Sequence, residues 1–306
     1  MDIKQIFLES IRDEVWSENN CKNHEKLREK SLFPLRFHPQ NVQSDFITHQ
    51  DIARKMAKLP QFNDQDLVSS IGCYIGKVVK DLYNQYETEI KASNLINVTD
   101  LFTHEKGKKG AWENIYTWLW GEKYPQWLST FQANLWELIS KDAQKPPQWL
   151  KFIDEDKLEQ INKGFVISEN NNLPESQSLI PLNQPTYLYI HLPYPKQYLL
   201  LFNRGQNTSF IFSPSIALAP QPFLQETPIL LPQINKDAKF VNLKFDATGK
   251  EEFLGIVINK QINIDWLINP TQEVPILDNE RLFEIWEYLN KNEPDYQVFY
   301  QCCEVR

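Results

Sequence analysis

The residues able to do chemistry in this chain are its cysteines, histidines, carboxylates and one lysine cluster. Cys73 could act as a nucleophile if His49 or His104 approached it, because a Cys/His pair needs spatial proximity and not sequence adjacency; that arrangement would make a cysteine hydrolase. Cys73 stands within Ile71-Gly72-Cys73-Tyr74-Ile75, however, on an apolar helical stretch where a thiol is expected to be buried and inert. His24, His38, His49, His104 and His191 fall in separate segments without His-x-x-x-His or His-Glu-x-x-His spacing, so no metal ligand set is expected. Cys302 and Cys303 are neighbours that would project to opposite faces of a strand, and with Cys21 and Cys73 isolated neither a zinc knuckle nor a redox Cys-x-x-Cys can be drawn. Gly205 and Gly249 are single turn glycines that form no phosphate cradle, and acidic neighbours such as Asp154 and Asp156 are what a helix end in an acidic protein carries. No catalytic residue and no cofactor is assigned, and the expected class is non-enzymatic.

Recognition is the remaining class. A formal charge of −8 and a pI near 5.3 repel phosphate backbones at long range, so nucleic acid is not expected as a partner. Lys106, Lys108 and Lys109, beside Gly107 and Gly110, read as a solvated lysine loop. Thr48 with Asp51 three residues on opens a capped helix carrying Ile52, Met56 and Leu59. A second helix begins after Asn63, with Leu67, Ile71, Ile75, Val78, Val79 and Leu82 on one face. This pair, 48–86, resembles a helix-turn-helix at Gln50-Asp51-Ile52-Ala53, which supplies the alternative of a DNA-associated regulator; the turn Pro60-Gln61-Phe62-Asn63 lacks the usual glycine, and the second helix bears no Arg run. The N-terminus has acidic residues and a helical period in place of a signal peptide, and no window reaches the ~18 apolar residues of a membrane span. A cytoplasmic, reducing location is expected, with no membrane partner.

Six of the nine tryptophans, Trp112, Trp118, Trp120, Trp127, Trp136 and Trp149, lie within 111–149. Ile115, Trp118 and Leu119 share one face of a first helix; Leu128, Phe131, Leu135, Trp136 and Ile139 share one face of a second, opened by Pro125. Trp118 and Trp120 diverge by about 200° on a helix, so Trp120 is expected to look outward. Because tryptophan anchors many interfaces, Trp118, Trp120 and Trp127 are the candidate residues for binding a protein partner.

These residues need elements to hold them. Ile6, Phe7, Ile11, Val15 and Trp16 predict a first amphipathic helix, whereas Ser31–Asn41, with Pro34 and Pro39, is expected to run extended. Ile153–Asn162 reads as a short acidic helix, and the polar run through Asn170–Asn172 and Pro174 reads as a linker, placing the domain boundary within 164–182. Beyond it, Tyr187–Leu192, Gln197–Asn203 and Thr208–Phe212 are strand-like runs, the last two forming a hairpin around Arg204-Gly205-Gln206-Asn207. Pro214, Pro220, Pro222, Pro228 and Pro232 imply edge strands and extended crossings. Strands are expected over Phe240–Asp246 and Glu251–Lys260, then a capped helix Asn279–Asn290 and a last strand Tyr296–Val305.

The segment Tyr187–Lys260 resembles a bacterial β-rich domain of unknown function, often attached to protein kinases and caspase-like peptidases. The likeness rests on Leu200-Leu201-Phe202-Asn203 with Gly205, on Ile211-Phe212-Ser213-Pro214, on Pro228-Ile229-Leu230-Leu231-Pro232, and on Gly249, Glu251 and Leu254. It implies a non-catalytic β-sandwich accessory module and assigns no functional residues. The expected fold is α+β: a helical, aromatic-rich domain at 1–163 and a β-sandwich-like domain at 183–306 with a terminal helix and strand. The expected role is a protein-interaction or regulatory module of a bacterial signalling or effector system.

Overall fold

The computed structural model describes residues 2–17, 24–43, 48–59, 62, 67–96, 110–146, 149–162, 178–192, 196–225, 227–233, 238–293 and 295–306. The chain divides into two compact units, Met1–Phe131 and Gln132–Arg306. Helices make the first and two sheets dominate the second, an α+β fold.

In the first unit α1 (Ile3–Val15) starts at Asp2, whose carboxylate accepts the Lys4 N–H at 3.0 Å. It is followed by α2 (His24–Phe37), α3 (Gln40–Gln43), α4 (His49–Ala57), α5 (Leu67–Gln85), α6 (Glu87–Ala92) and α7 (Ala111–Trp118). A π-turn, Leu119–Lys123, leads into α8 (Tyr124–Ala133). Thr48 and Asp51 form the expected reciprocal cap of α4. Ile71, Ile75, Val78, Val79 and Leu82 of α5 are buried in the shared core, while Asn63, His104 and Lys106–Lys109 lie outside the described residues.

The extended reading of Ser31–Asn41 is corrected: α2 runs through Pro34. A proline inside a helix loses one hydrogen bond and costs about 3 kcal/mol. Leu32, Phe33 and Phe37, all fully buried, each contribute about 1.5–3 kcal/mol of apolar burial, which outweighs it. Phe33 lies 5.4 Å from Trp16 and 5.2 Å from Phe37 between ring centres.

The second unit contains α9 (Leu135–Asp142), β1 (Leu150–Ile153), α10 (Glu155–Asn162), β2 (Ser178–Ile180), β3 (Tyr187–Ile190), β4 (Gln197–Arg204), β5 (Ser209–Ser213), β6 (Phe223–Leu224), β7 (Ile229–Leu231), β8 (Gly249–Ile258), α11 (Asp265–Ile268), α12 (Asn279–Asn292) and β9 (Gln297–Val305). One sheet has the order β1-β3-β7; the other runs β2-β9-β8-β4-β5, with β6 also pairing β4. The expected hairpin is β4–β5, antiparallel, and the last strand pairs with β8 and β2. Strand β3 belongs to the smaller sheet and not to the hairpin's.

The two sheets share a core. Leu199, Leu201, Phe253 and Phe299 of the larger meet Leu150, Leu188, Ile190 and Leu231 of the smaller, and the rings of Phe152 and Phe253 stand 5.5 Å apart. The alternate positions of β4 and β8, including Leu200, Phe202, Leu254 and Ile256, are also buried. Arg204, on this second face, reaches Glu137 of α9 at 2.6 Å, so helix covers this side of the sheet.

Three expectations differ from these contacts. The segment 132–162 belongs to the sheet unit, because β1 pairs antiparallel with β3 and both backbone groups of Gln144 bond β9, to Val298 and Tyr300. The chain therefore divides earlier than the expected boundary, most of which lies outside the described residues. The long second tryptophan helix breaks at Asn134 into α8 and α9. Phe240–Asp246 is no strand: it meets its neighbours only by single bridges, Thr186 with Leu243 and Leu182 with Phe245.

Candidate functional site

A cleft of about 670 Å³ opens at the end of the second unit where β4, β5 and β8 meet the segment 240–247. Its walls are Phe210, Phe212, Leu218, Leu243, Phe245 and Val274. The strand register explains why a charge reaches into it. On β8, Glu251 shares parity with Phe253, Gly255 and Val257, so its side chain follows the inward row, one step beyond the last apolar position. On β4, Asn203 shares parity with Leu199 and Leu201 and is buried.

Asn203 Nδ2 donates to Glu251 Oε2 at 2.7 Å. Oε1 accepts no hydrogen bond among the described residues. Gly205 leaves room for it: a Cβ there would stand 2.9 Å from Oε1. Burial pushes the Glu251 carboxyl above its ordinary value and the charge of Asp246 adds to this, while the Asn203 hydrogen bond opposes both. The turn at the cleft edge is tied down by Gln206, whose Nε2 donates to the Thr248 carbonyl at 2.8 Å. Gly249 has φ of +142° with the Gln206 side chain where a Cβ would be, so no other residue fits there.

Around the mouth lie exposed apolar side chains. Phe240 and Ile276 line it, and Val241, next in the chain, is 78% exposed. Ile216 joins them, because its neighbour Ala217 accepts the Phe240 N–H at 3.1 Å and donates to the Glu273 carbonyl at 3.0 Å. Lys239 pairs with Glu273 beside them. The arrangement can hold an apolar body and offer a carboxylate oxygen to a donor.

The residues singled out from sequence sit elsewhere. Trp118 is 1% exposed, against Tyr86 at 5.5 Å. Trp120 does not look outward: it is half-buried, its Nε1 donates to the Phe37 carbonyl at 2.9 Å, and its ring lies 5.3 Å from Phe7 and 5.1 Å from Tyr124. The helix is covered on two sides, by α5 and by α1 with the end of α2, so divergent tryptophans both find core. Trp127 is half-buried between Phe7 and Phe131. The three therefore form no exposed patch.

Cys73 is exposed and not buried as expected, because it lies on the solvent side of α5 with Gly72, Gly76 and Lys80. His49 approaches the neighbouring Gly72, its Cε1 3.5 Å from where a Cβ would be, but no hydrogen bond joins it to Cys73 among the described residues. Lys77 on α5 is held by Glu25 at 3.2 Å, and Lys80 on the same helix is exposed. Among the described residues no group of three His, Cys, Asp or Glu is placed to hold a metal, and no helix is long and apolar enough to cross a membrane.

Sequence reasoning missed Glu251 and Asn203, although parity within their strands marks both as polar residues in an inward row. No family model matches this chain, and neither a curated protein nor a solved structure matches it.

Proposed function

We propose that the chain is a non-enzymatic protein-recognition module whose second unit receives a partner segment in the Glu251 cleft. The segment carries a large apolar side chain for the walls and a neighbouring lysine or arginine for the carboxylate. The observation that carries this reading is an apolar cleft floored by a carboxylate with one oxygen unclaimed among the described residues. Burying a Phe- or Leu-sized side chain gives about 1.5–3 kcal/mol. A desolvated charge pair at its end adds orientation, and truncating one partner of such a pair costs about 2–5 kcal/mol. The apolar rim of Phe240, Val241, Ile276 and Ile216 extends the contact beyond the cleft. A setting in bacterial signalling or effector systems rests on the resemblance of 187–260 to the accessory domain. The DNA-associated and cysteine-hydrolase alternatives gain no comparable support: of the α5 lysines Lys77 is held by Glu25, and no hydrogen bond joins Cys73 to a base among the described residues.

Selection of a random peptide library on the full chain tests the reading, followed by calorimetric titration of the enriched peptides. Enrichment should favour a large apolar residue beside Lys or Arg, and Glu251→Gln should weaken those peptides by about tenfold or more. Enriched peptides without that bias, or with affinities indifferent to both Glu251→Gln and Phe240→Ser, would overturn it.

A further inference from the structure

We infer that the first unit binds a phosphorylated small molecule in a second cavity, independent of the partner cleft. This cavity, of about 620 Å³, lies among α1, α2, α3 and α4, within the range of metabolite sites. Its lining inverts the sign of the chain: Arg12 from α1, Lys30 from α2 and Lys55 from α4 line it, with no carboxylate among the described lining residues, in a protein whose formal charge is −8.

The pairing of those cations leaves charge to spare. Arg12 and Lys30 share one carboxylate, Asp13, at 3.0 and 3.2 Å. Lys55 has no ion-pair partner among the described residues. With Asp13 and the Asp2 carboxylate, 3.3 Å from His38 Nε2, set against the three cations, one positive charge remains over; displacing Asp13 makes it two, and a phosphate monoester carries about −1.5 to −2 at neutral pH. The Asp13 carboxyl is held below its ordinary value, chiefly by the Arg12 hydrogen bond, so it stays an anionic counter-ion. Its side chain is 59% exposed, so an entering phosphate can displace it into solvent.

The remaining lining suits the rest of such a ligand. The Ser31 hydroxyl has no hydrogen-bond partner among the described residues and stands one position from Lys30. His38 is buried, and its Nδ1 accepts the Gln40 N–H at 3.3 Å. Its Nε2 lies 3.3 Å from Asp2. Leu27 and Leu35 supply an apolar wall. The volume exceeds that of a bare phosphate, and the mixed wall fits an organic body attached to it. The three cations stand on separate helices packed in one core, so their backbones are held before the ligand arrives.

Calorimetric titration of the full chain with inorganic phosphate, adenosine monophosphate and glucose 6-phosphate, each at low and high salt, tests this. At least one ester should bind more tightly than inorganic phosphate, with affinity falling as salt rises; which ester wins separates a nucleotide from a sugar phosphate. Lys55→Gln should weaken that ester about tenfold or more with the melting temperature unchanged, because Lys55 is exposed and makes no ion pair to lose. Lys30→Gln should weaken it as well. Absence of binding by all three probes at low salt, or affinities left unchanged by both variants, overturns the inference.

Discussion

Replacing Glu251 by glutamine should stabilise the second unit while weakening its grip on a basic peptide. The carboxylate sits in the inward row of β8, half-buried, with one oxygen held by Asn203 and burial raising its pKa. Glutamine keeps the shape and an acceptor for Asn203 Nδ2 and removes the charge. Wherever the native carboxyl titrates above its unfolded value of about 4.3, the native state binds more protons, so stability falls as pH rises. The contribution of Glu251 is complete below the unfolded value and is lost as pH climbs through the native one. The variant lacks that loss, so its advantage should be absent in acid, grow above about pH 4.3 and then level off. A partly desolvated carboxylate that retains one good hydrogen bond supports a gain of about 1 kcal/mol at neutral pH, or about 2–4 °C in melting temperature for a unit of this size. Urea unfolding of both proteins at a series of pH values reads the difference directly. A variant less stable than the parent at neutral pH, or an advantage that shrinks as pH rises, would refute the view that Glu251 is held at a cost.

Trp120→Ala should lower the stability of the first unit by about 3 kcal/mol, as large-to-small changes of buried aromatics do, because it removes contacts to Phe7 and Tyr124 and the hydrogen bond to Phe37; thermal unfolding checks this, and an unchanged melting temperature would return Trp120 to the list of partner-binding residues. Glu29→Gln should be neutral or stabilising by about 1 kcal/mol near pH 7: Glu29 is buried, its pKa is raised first by burial, and the Lys26 ammonium it touches at 2.8 Å also serves Asp81 at 2.5 Å. The sign is that of Glu251, a contribution lost as pH rises through the native pKa, and a variant clearly less stable than the parent at pH 7 would contradict it.

Local codes in the sequence were legible wherever one interaction decided the structure. Thr48 and Asp51 mark the start of α4 because a capping box involves neighbours three positions apart, and β4–β5 declares itself by two apolar runs around Gly205. The misreadings fall where tertiary contacts decide. Pro34 argues for extended chain, yet three buried side chains beside it outweigh the hydrogen bond it removes. Phe240–Asp246 alternates like a strand but forms only single bridges, and its odd-numbered Leu243 and Phe245 become walls of a cleft. A helical wheel with one buried face puts Trp120 outward, while α7 and the turn after it are packed on two. The candidate site was half legible in the same sense. Parity places Glu251 after Phe253, Gly255 and Val257 on the inward row, and a charge in that row either finds a buried partner or sits at an opening. The sequence cannot choose between these, because the walls come from Phe210, Leu243 and Val274, far apart along the chain. Asn203 partners one of the two carboxylate oxygens and the other accepts no hydrogen bond among the described residues; a stability gain in Glu251→Gln would mean that the charge is kept there at a cost, which is the condition the proposed recognition role requires.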